Sequence, residues 1–473
     1  MAQGFLKVKG TSIVDENDKV VPLRGTALGG WLNMENFMTG YPGTESGFHA
    51  ALTEVLGKEK YEAFHERFLH EFFTEKDAAF LKSIGMNTLR LPFNHRHFED
   101  DMNPRVLREK GVRHLDRVIK ICSDQGIYTI LDMHTVPGCQ NPDWHSDNNT
   151  SYAAFWDFKD HQDRTVWLWE QLAERYKDNP WIAGHNPMNE PCDPQHVRLP
   201  AFYERVGKAI RDIDPNHILW LDGNTFAMEW KGFEALNRTN MPNCVYSIHD
   251  YSKMGFPLGQ QYDSSPAADQ KLEAQFLRKC EFQHREKVPV WVGEFGPTYA
   301  SSELDPDSER TNQGRYKLLA AQLSLYERYG VPWSTWCYKD IGMLGAVSTS
   351  DSSPWNKLIA SFNAKKVQVQ IDGFLRQESQ EVEDLLTPLV EWIDRVSPSA
   401  TKMYPSNWRT REHVKRNVLQ TFLASSFLQE YAELFRGKSE AELDELAESF
   451  SFENCVPRKE LTDLIAKTVA DSQ

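Results

Sequence analysis

Eight short apolar runs punctuate the chain, most of them separated by a polar loop and a stretch with helical spacing. They are "VVPLRGTAL" (20–28), "NTLRLPF" (87–93), "YTILDMH" (128–134), "WIAGHNPMNE" (181–190), "HILWLDG" (217–223), "CVYSIHDY" (244–251), "VPVWVGEF" (288–295) and "VPWSTWCY" (331–338). Strands that alternate with helices pair in parallel, because each helix carries the chain back across the sheet. Eight of them imply closure, so the expected fold is an α/β (β/α)8 TIM barrel. An open, doubly wound sheet is the rival. It is disfavoured because "GTALGGW" after the first run lacks the G-x-G-x-x-G spacing of a phosphate-binding turn.

The helical gaps carry their own punctuation. Thr74 followed by Asp77 caps "TEKDAAFLKSIG" and Gly85 ends it, while Leu115, Val118, Ile119 and Cys122 make one apolar stripe ahead of Gly126. Residues 1–19 alternate as a short hairpin expected to close the barrel, which spans 20–365. Residues 366–473 form a mainly helical appendage. Within it "KVQVQID" is expected to be a strand. The stripes Leu385, Leu386, Leu389, Trp392, Ile393 and Val414, Val418, Phe422, Leu423 are expected to pack on the barrel, and Ser439 with Glu442 gives a capping box.

Charge excludes some partners. Fifty-three basic against 68 acidic residues leave a net charge of -15, which repels phosphate backbones and anionic membranes. No nucleic-acid partner is therefore expected. No run approaches the roughly 18 apolar residues of a membrane span, and the N-terminus shows no apolar leader core, so a cytoplasmic location is expected. Seven scattered cysteines without C-x-x-C spacing suggest neither a disulfide framework nor a zinc site. Oligomeric state is not legible.

In a barrel of this class the reactive groups stand at the C-terminal ends of the strands, where the loops build the mouth. The fourth run ends in Asn189-Glu190 and the seventh in Glu294; Arg90, His134, His249, Tyr251 and Trp336 lie at or near the ends of others. The fourth and seventh strands lie across a barrel from each other, so their two glutamates would face one another over a pocket. Paired carboxylates suit retaining glycoside cleavage, where one protonates the leaving oxygen and the other attacks the anomeric carbon. Arg90 would favour the charged form of Glu294, and a dry site beside that charge would keep Glu190 protonated. His145 reads as a solvated loop residue.

The motifs "MNEP", "VGEFG", "LRLPF", "DMH", "IHDY" and "STWCY", in this order over residues 20–365, resemble glycoside hydrolase family 5. The resemblance implies that Glu190 is the acid/base and Glu294 the nucleophile, that Asn189 binds the sugar 2-hydroxyl, and that Arg90 and Tyr251 orient the nucleophile. It also implies that Trp336 floors the sugar site, lined by His134 and His249. "ALGGWLNMEN" and "MHTVPGCQNPDWHSDNN" resemble the fungal exo-β-1,3-glucanase and β-glucosidase branch. In that branch Glu35 would bind glucose hydroxyls, Asp147 and Asn148 would lie near the non-reducing sugar, and Trp144 near the entrance. The implied activity is exo-acting hydrolysis of β-glucosides without metal or organic cofactor. A rutinoside-specific or glycolipid-directed β-glucosidase, and a non-catalytic carbohydrate-binding scaffold, are the alternatives. The long helical tail departs from the branch.

Overall fold

The computed structural model of the protein describes residues 4–236, 240–257, 259–371 and 379–472. An antiparallel hairpin, β1 (Lys7–Lys9) and β2 (Ser12–Val14), opens the chain. Eight strands follow: β3 (Arg24–Ala27), β4 (Thr88–Asn94), β5 (Tyr128–Thr135), β6 (Ile182–Asn186), β7 (Ile218–Asp222), β8 (Cys244–His249), β9 (Val290–Glu294) and β10 (Trp333–Thr335). They close into one parallel barrel, each beside its neighbour in sequence and β10 against β3 through Trp333–Arg24, Ser334–Gly25 and Thr335–Thr26. All eight apolar runs thus become barrel strands.

Alternation along each strand divides the interior into two layers. On β5, Ile130, Asp132 and His134 share a face, so they climb from the floor toward the mouth; on β7, Ile218, Trp220 and Asp222 do the same. The lower layer is apolar. Ile130, Ile218, Trp220, Val245 and Trp291 form one buried cluster with Leu6 and Ile13 of the hairpin, which closes this end. Trp220 meets Trp291 edge to face at 4.7 Å, a contact worth about 1 kcal/mol beyond burial. Above it sit Arg90, Asp132, Asn186 and Asp222, all fully buried.

The capping boxes at Thr74–Asp77 and Ser439–Glu442 both form, and Leu115, Val118, Ile119 and Cys122 are all buried. The tail differs from expectation in two places. Asp372 of "KVQVQID" lies outside the described residues, and residues 366–371 form no strand: the first of them finish the helix Pro354–Gln368, which Ser353 caps and which buries Ile359, Phe362 and Lys366 on one face. Two-residue alternation over so short a run is outweighed by the helix already propagating into it. The stripes also fail to lie flat on the barrel. Leu386 is buried, while Leu385, Leu389, Trp392, Val418 and Phe422 are exposed. Residues 414–423 form a π-helix, whose wider turn moves positions four apart off a common face.

The tail is nevertheless tied to the barrel. A strand β13 (Cys455–Pro457) pairs antiparallel with β12 (Val347–Thr349), which itself lies parallel to β11 (Lys339–Asp340) just after β10. Lys339, fully buried, donates to Asp77 at 2.7 Å and to the Phe450 carbonyl at 2.7 Å, joining barrel and tail. Among the described residues no helix is long and apolar enough to cross a membrane.

Candidate active site

The loops after the strands surround a cavity of about 380 Å³, lined by Glu35, His134, Trp144, Glu190, His249, Tyr251, Glu294 and Trp336 among others. Glu294 closes β9 and is held at both oxygens: Arg90 donates to Oε1 at 2.5 Å and the Tyr251 hydroxyl to Oε2 at 2.9 Å. Arg90 comes from the middle of β4 and has no exposed surface; its other nitrogen donates to Asn186 at 3.0 Å and Asn189 at 2.7 Å, beside Asp132 at 3.1 Å. Burial opposes its charge, but Asp132, Glu294 and Asp222 together outweigh that and keep the guanidinium protonated beyond its usual range.

Glu190 sits just past β6 on a strained backbone, with φ at +45°, a region that costs a non-glycine residue roughly 1 kcal/mol or more. Its amide donates to Asp222 at 3.0 Å, which anchors the turn. His249 at the end of β8 meets Glu190 Oε1 at 2.7 Å and lies 3.5 Å from Glu294 Oε2. One reactive atom from each of Glu190, His249 and Glu294 falls within 4.8 Å of the others. The two carboxylates therefore face each other across a gap that one sugar carbon could bridge. These three side chains are close enough to share a cation, but Arg90, Tyr251, His145 and His249 already occupy the carboxylate oxygens.

One sequence expectation is corrected here. Burial raises the Glu190 carboxyl, but hydrogen bonds from His145 and His249 outweigh it and bring the group well below the usual carboxylate range. Burial likewise works against the charge on His145, yet Asp143 and Glu190 raise it well above an ordinary histidine. The proton that Glu190 and His145 share thus favours the imidazole, and Glu190 favours its ionised form. His145 is no solvated loop residue: its Nε2 lies 3.0 Å from Glu190 Oε2 and its side chain is mostly buried.

The remaining expected residues divide. His134 stacks on Trp336 at 5.1 Å and 7° between planes, with Nδ1 on Asp132 at 2.7 Å and Nε2 facing Glu35 at 3.4 Å and Asn189 at 3.1 Å. Burial lowers its proton affinity, but Asp132 more than compensates and moves it up to about 9. Glu35 is pushed up by burial, partly offset by His134. Trp144 stands edge to face with Phe37 at 6.2 Å and walls the cavity.

Asp147 and Asn148 do not line the cavity. Asp147 accepts from the Ser46 amide at 2.8 Å, Asn94 at 3.0 Å and Arg96 at 2.6 Å, so both its oxygens tie the loop to neighbouring segments. Asn148 donates to the Asn141 and Tyr152 carbonyls at 2.8 and 3.2 Å and accepts from the Thr150 amide. Their work is to fold the loop. Asp147→Asn should accordingly cost about 2 kcal/mol in denaturant unfolding, because a charge-assisted bond to the part-exposed Arg96 is lost and an amide nitrogen is turned toward donors. KM for the sugar should stay within about twofold.

With this geometry in view, comparison with known proteins decides the family. Residues 53–342 match Cellulase (glycosyl hydrolase family 5). The chain belongs to glycosyl hydrolase family 5. As a family 5 member it is 50% identical over 466 residues to a protein of Phanerodontia chrysosporium named "Beta-xylosidase", covering 98% of this chain and 97% of that one. It is 30% identical over 287 residues to "Probable glucan 1,3-beta-glucosidase A" of Aspergillus clavatus, covering 58% of this chain and 64% of that one. Among solved structures, an endogalactoceramidase superposes with a TM-score of 0.50 at 18% identity over 76% of this chain and 78% of its own, a likeness of fold. The chain is a glycoside hydrolase with eight parallel strands closed around its site.

The sequence reading missed His145, Asp143, Asp222, Trp408 and Arg416. For His145 a signal existed: "DWHSD" crowds an aromatic, an imidazole and two carboxylates into five positions. Arg416 carried none, being one of several cations on a tail helix.

Proposed function

We propose that this protein is a retaining β-glycosidase that removes one β-linked sugar from a non-reducing end, and that the sugar is xylose. The observation that carries the retaining mechanism is the approach of Glu190 and Glu294 to within 4.8 Å, since inverting pairs stand roughly 6.5–9.5 Å apart to admit water. In the first half-reaction Glu294 attacks the anomeric carbon, the bond to the leaving oxygen breaks, and a proton reaches that oxygen through Glu190. In the second, water attacks the same carbon, its proton returns through Glu190, and Glu294 is released. Arg90 and Tyr251, one on each oxygen, keep the attacking carboxylate aimed.

Xylose is favoured by the "Beta-xylosidase" relative, which is similar along nearly the whole chain, tail included. The bulk of Trp144 at the wall, backed edge to face by Phe37, also suits a ring without a hydroxymethyl arm. A β-glucoside is the second reading, supported by the shorter match to glucan 1,3-β-glucosidases. A panel of 4-nitrophenyl β-xyloside, glucoside, galactoside, mannoside and rutinoside tests both. The xyloside should lead the glucoside in kcat/KM by about tenfold or more, since one such group against a fitted wall is worth roughly 1–3 kcal/mol. A faster glucoside returns the second reading; no turnover of any glycoside rejects both.

A further inference from the structure

The barrel loops do not build the pocket alone. Trp408 and Arg416, both from the C-terminal appendage, line it as well. The Arg416 guanidinium lies 5.1 Å from the Trp408 ring centre, and the same indole stacks on Phe226 at 5.3 Å. Nearby, the Tyr404 hydroxyl bonds Thr225 Oγ1 at 2.9 Å, in a turn where Thr225, Phe226 and Ala227 all have positive φ (54°, 61° and 57°). That strained turn carries Phe226 to within 6.0 Å of the His145 ring.

Arg416 does more than fill space. Its Nη1 donates to Asp143 Oδ2, and Asp143 is almost fully buried. The same Asp143 oxygen lies 3.5 Å from His145 Nδ1, and the opposite nitrogen of that ring, Nε2, is 3.0 Å from Glu190 Oε2. Guanidinium, carboxylate, imidazole and carboxylate thus alternate in one row from the tail to the reacting gap.

We propose that the appendage is a working part of the active site, with Arg416 a positioning residue that acts through Asp143 and His145 on the proton delivered by Glu190. This rests on the reading of Glu190 as the acid. His145 Nε2 gives its proton to the ionised Glu190, and Glu190 hands that proton on to the leaving oxygen as the glycosidic bond breaks and the bond to Glu294 forms, which leaves the ring neutral and Glu190 a carboxylate again. The water of the second half-reaction restores that proton. Other groups around the row are His249 on the second Glu190 oxygen, Glu294 and Asp222 at 3.5 and 3.6 Å from His249, the Asn141 amide 3.1 Å from His145 Nε2, and the His134 ring at 6.3 Å. None of these replaces Arg416 beside Asp143.

The sign follows from the order of charges. Without Arg416 the Asp143 charge acts unopposed on His145, the ring holds its proton more tightly, and the acid weakens. Removing the Asp143 charge does the reverse. The test uses full-length Arg416→Met, Arg416→Lys and Asp143→Asn, with kcat/KM against pH on aryl glycosides of whichever sugar the wild type cleaves. Leaving groups run from 2,4-dinitrophenol, which departs unprotonated, to 4-methylphenol, which does not.

Arg416→Met should lose about tenfold or more on the 4-methylphenyl substrate and under about threefold on the dinitrophenyl one, a fraction of the full effect of general acid catalysis. Its alkaline limb should move to higher pH and that of Asp143→Asn to lower pH, with Arg416→Lys restoring most of the loss. Equal losses across leaving groups, or limbs that stay put in both charge variants, overturn the proposal. If Arg416→Met does not fold, Asp143→Asn decides: its alkaline limb should move to lower pH, and a limb that stays put overturns the proposal. A Glu190→Ala enzyme that shows no leaving-group dependence removes the acid assignment and this proposal with it; dependence there without it in Arg416→Met removes this proposal alone.

Discussion

Replacing Glu294 with alanine is expected to lower kcat on an aryl β-glycoside by on the order of 10⁵-fold, the scale at which removal of a covalent nucleophile stops its reaction. The fold should survive the change. Arg90 loses its partner at 2.5 Å but keeps Asp132 at 3.1 Å, Asn186 at 3.0 Å and Asn189 at 2.7 Å, so its buried charge is not abandoned. The variant leaves a space of carboxylate size on the face from which attack comes. Added azide should enter it and restore turnover, giving the α-glycosyl azide, since only one displacement then occurs. A 2-fluoroglycoside that labels the wild type at Glu294 should leave the variant unlabelled when the digest is weighed by mass spectrometry. Substantial hydrolysis by Glu294→Ala without azide would remove the double displacement.

The fold was legible because barrel strands advertise themselves twice, as apolar runs and as the ends of helical stretches. "YTILDMH" illustrates why. Its apolar face must be buried, while Asp132 and His134 share the inward face with Ile130, so polar groups within an apolar strand could only look into a barrel mouth. Glu190 and Glu294 followed from the same reasoning, since topology sets β6 and β9 on opposite sides. What strand position cannot encode is the direction of a loop side chain. Asp147 and Asn148 sit three and four residues from Trp144, yet Trp144 walls the pocket while the other two bond their own loop. The short helical turn Trp144–Ser146, with Asp143 accepting from the Trp144 amide, decides which way each points.

Contacts across hundreds of residues were less legible still. Arg416 meets Asp143 over a separation of 273 positions, and no local pattern marks either partner. The protonation of Glu190 failed for the same reason. Seen from its strand it has only a negative neighbour and a dry site, which keep it neutral; seen in the folded pocket it has two imidazoles within 3.0 Å. A sign set by whichever charges the loops bring closest is fixed only after folding.

Those imidazoles shape what Glu190→Ala should do. Its loss removes the group through which a proton reaches the leaving oxygen, so kcat/KM for a 4-methylphenyl glycoside should fall about 10³- to 10⁴-fold, the usual worth of general acid catalysis. For a 2,4-dinitrophenyl glycoside the first half-reaction needs no proton, and kcat/KM should change far less. Water, however, then lacks its base, so the glycosyl-enzyme on Glu294 should accumulate and appear as a burst of phenol followed by slow turnover. Azide needs no base; it should accelerate that turnover and yield the β-glycosyl azide, the opposite anomer to that from Glu294→Ala. His145 and His249 are both raised by Glu190, so in the variant each ring should neutralise at lower pH; because the dinitrophenolate leaves without a proton, kcat/KM for that substrate should lose its alkaline limb instead of following the rings. Equal losses for both leaving groups, or the same azide anomer from both variants, would show that the two carboxylates do not divide the work between them.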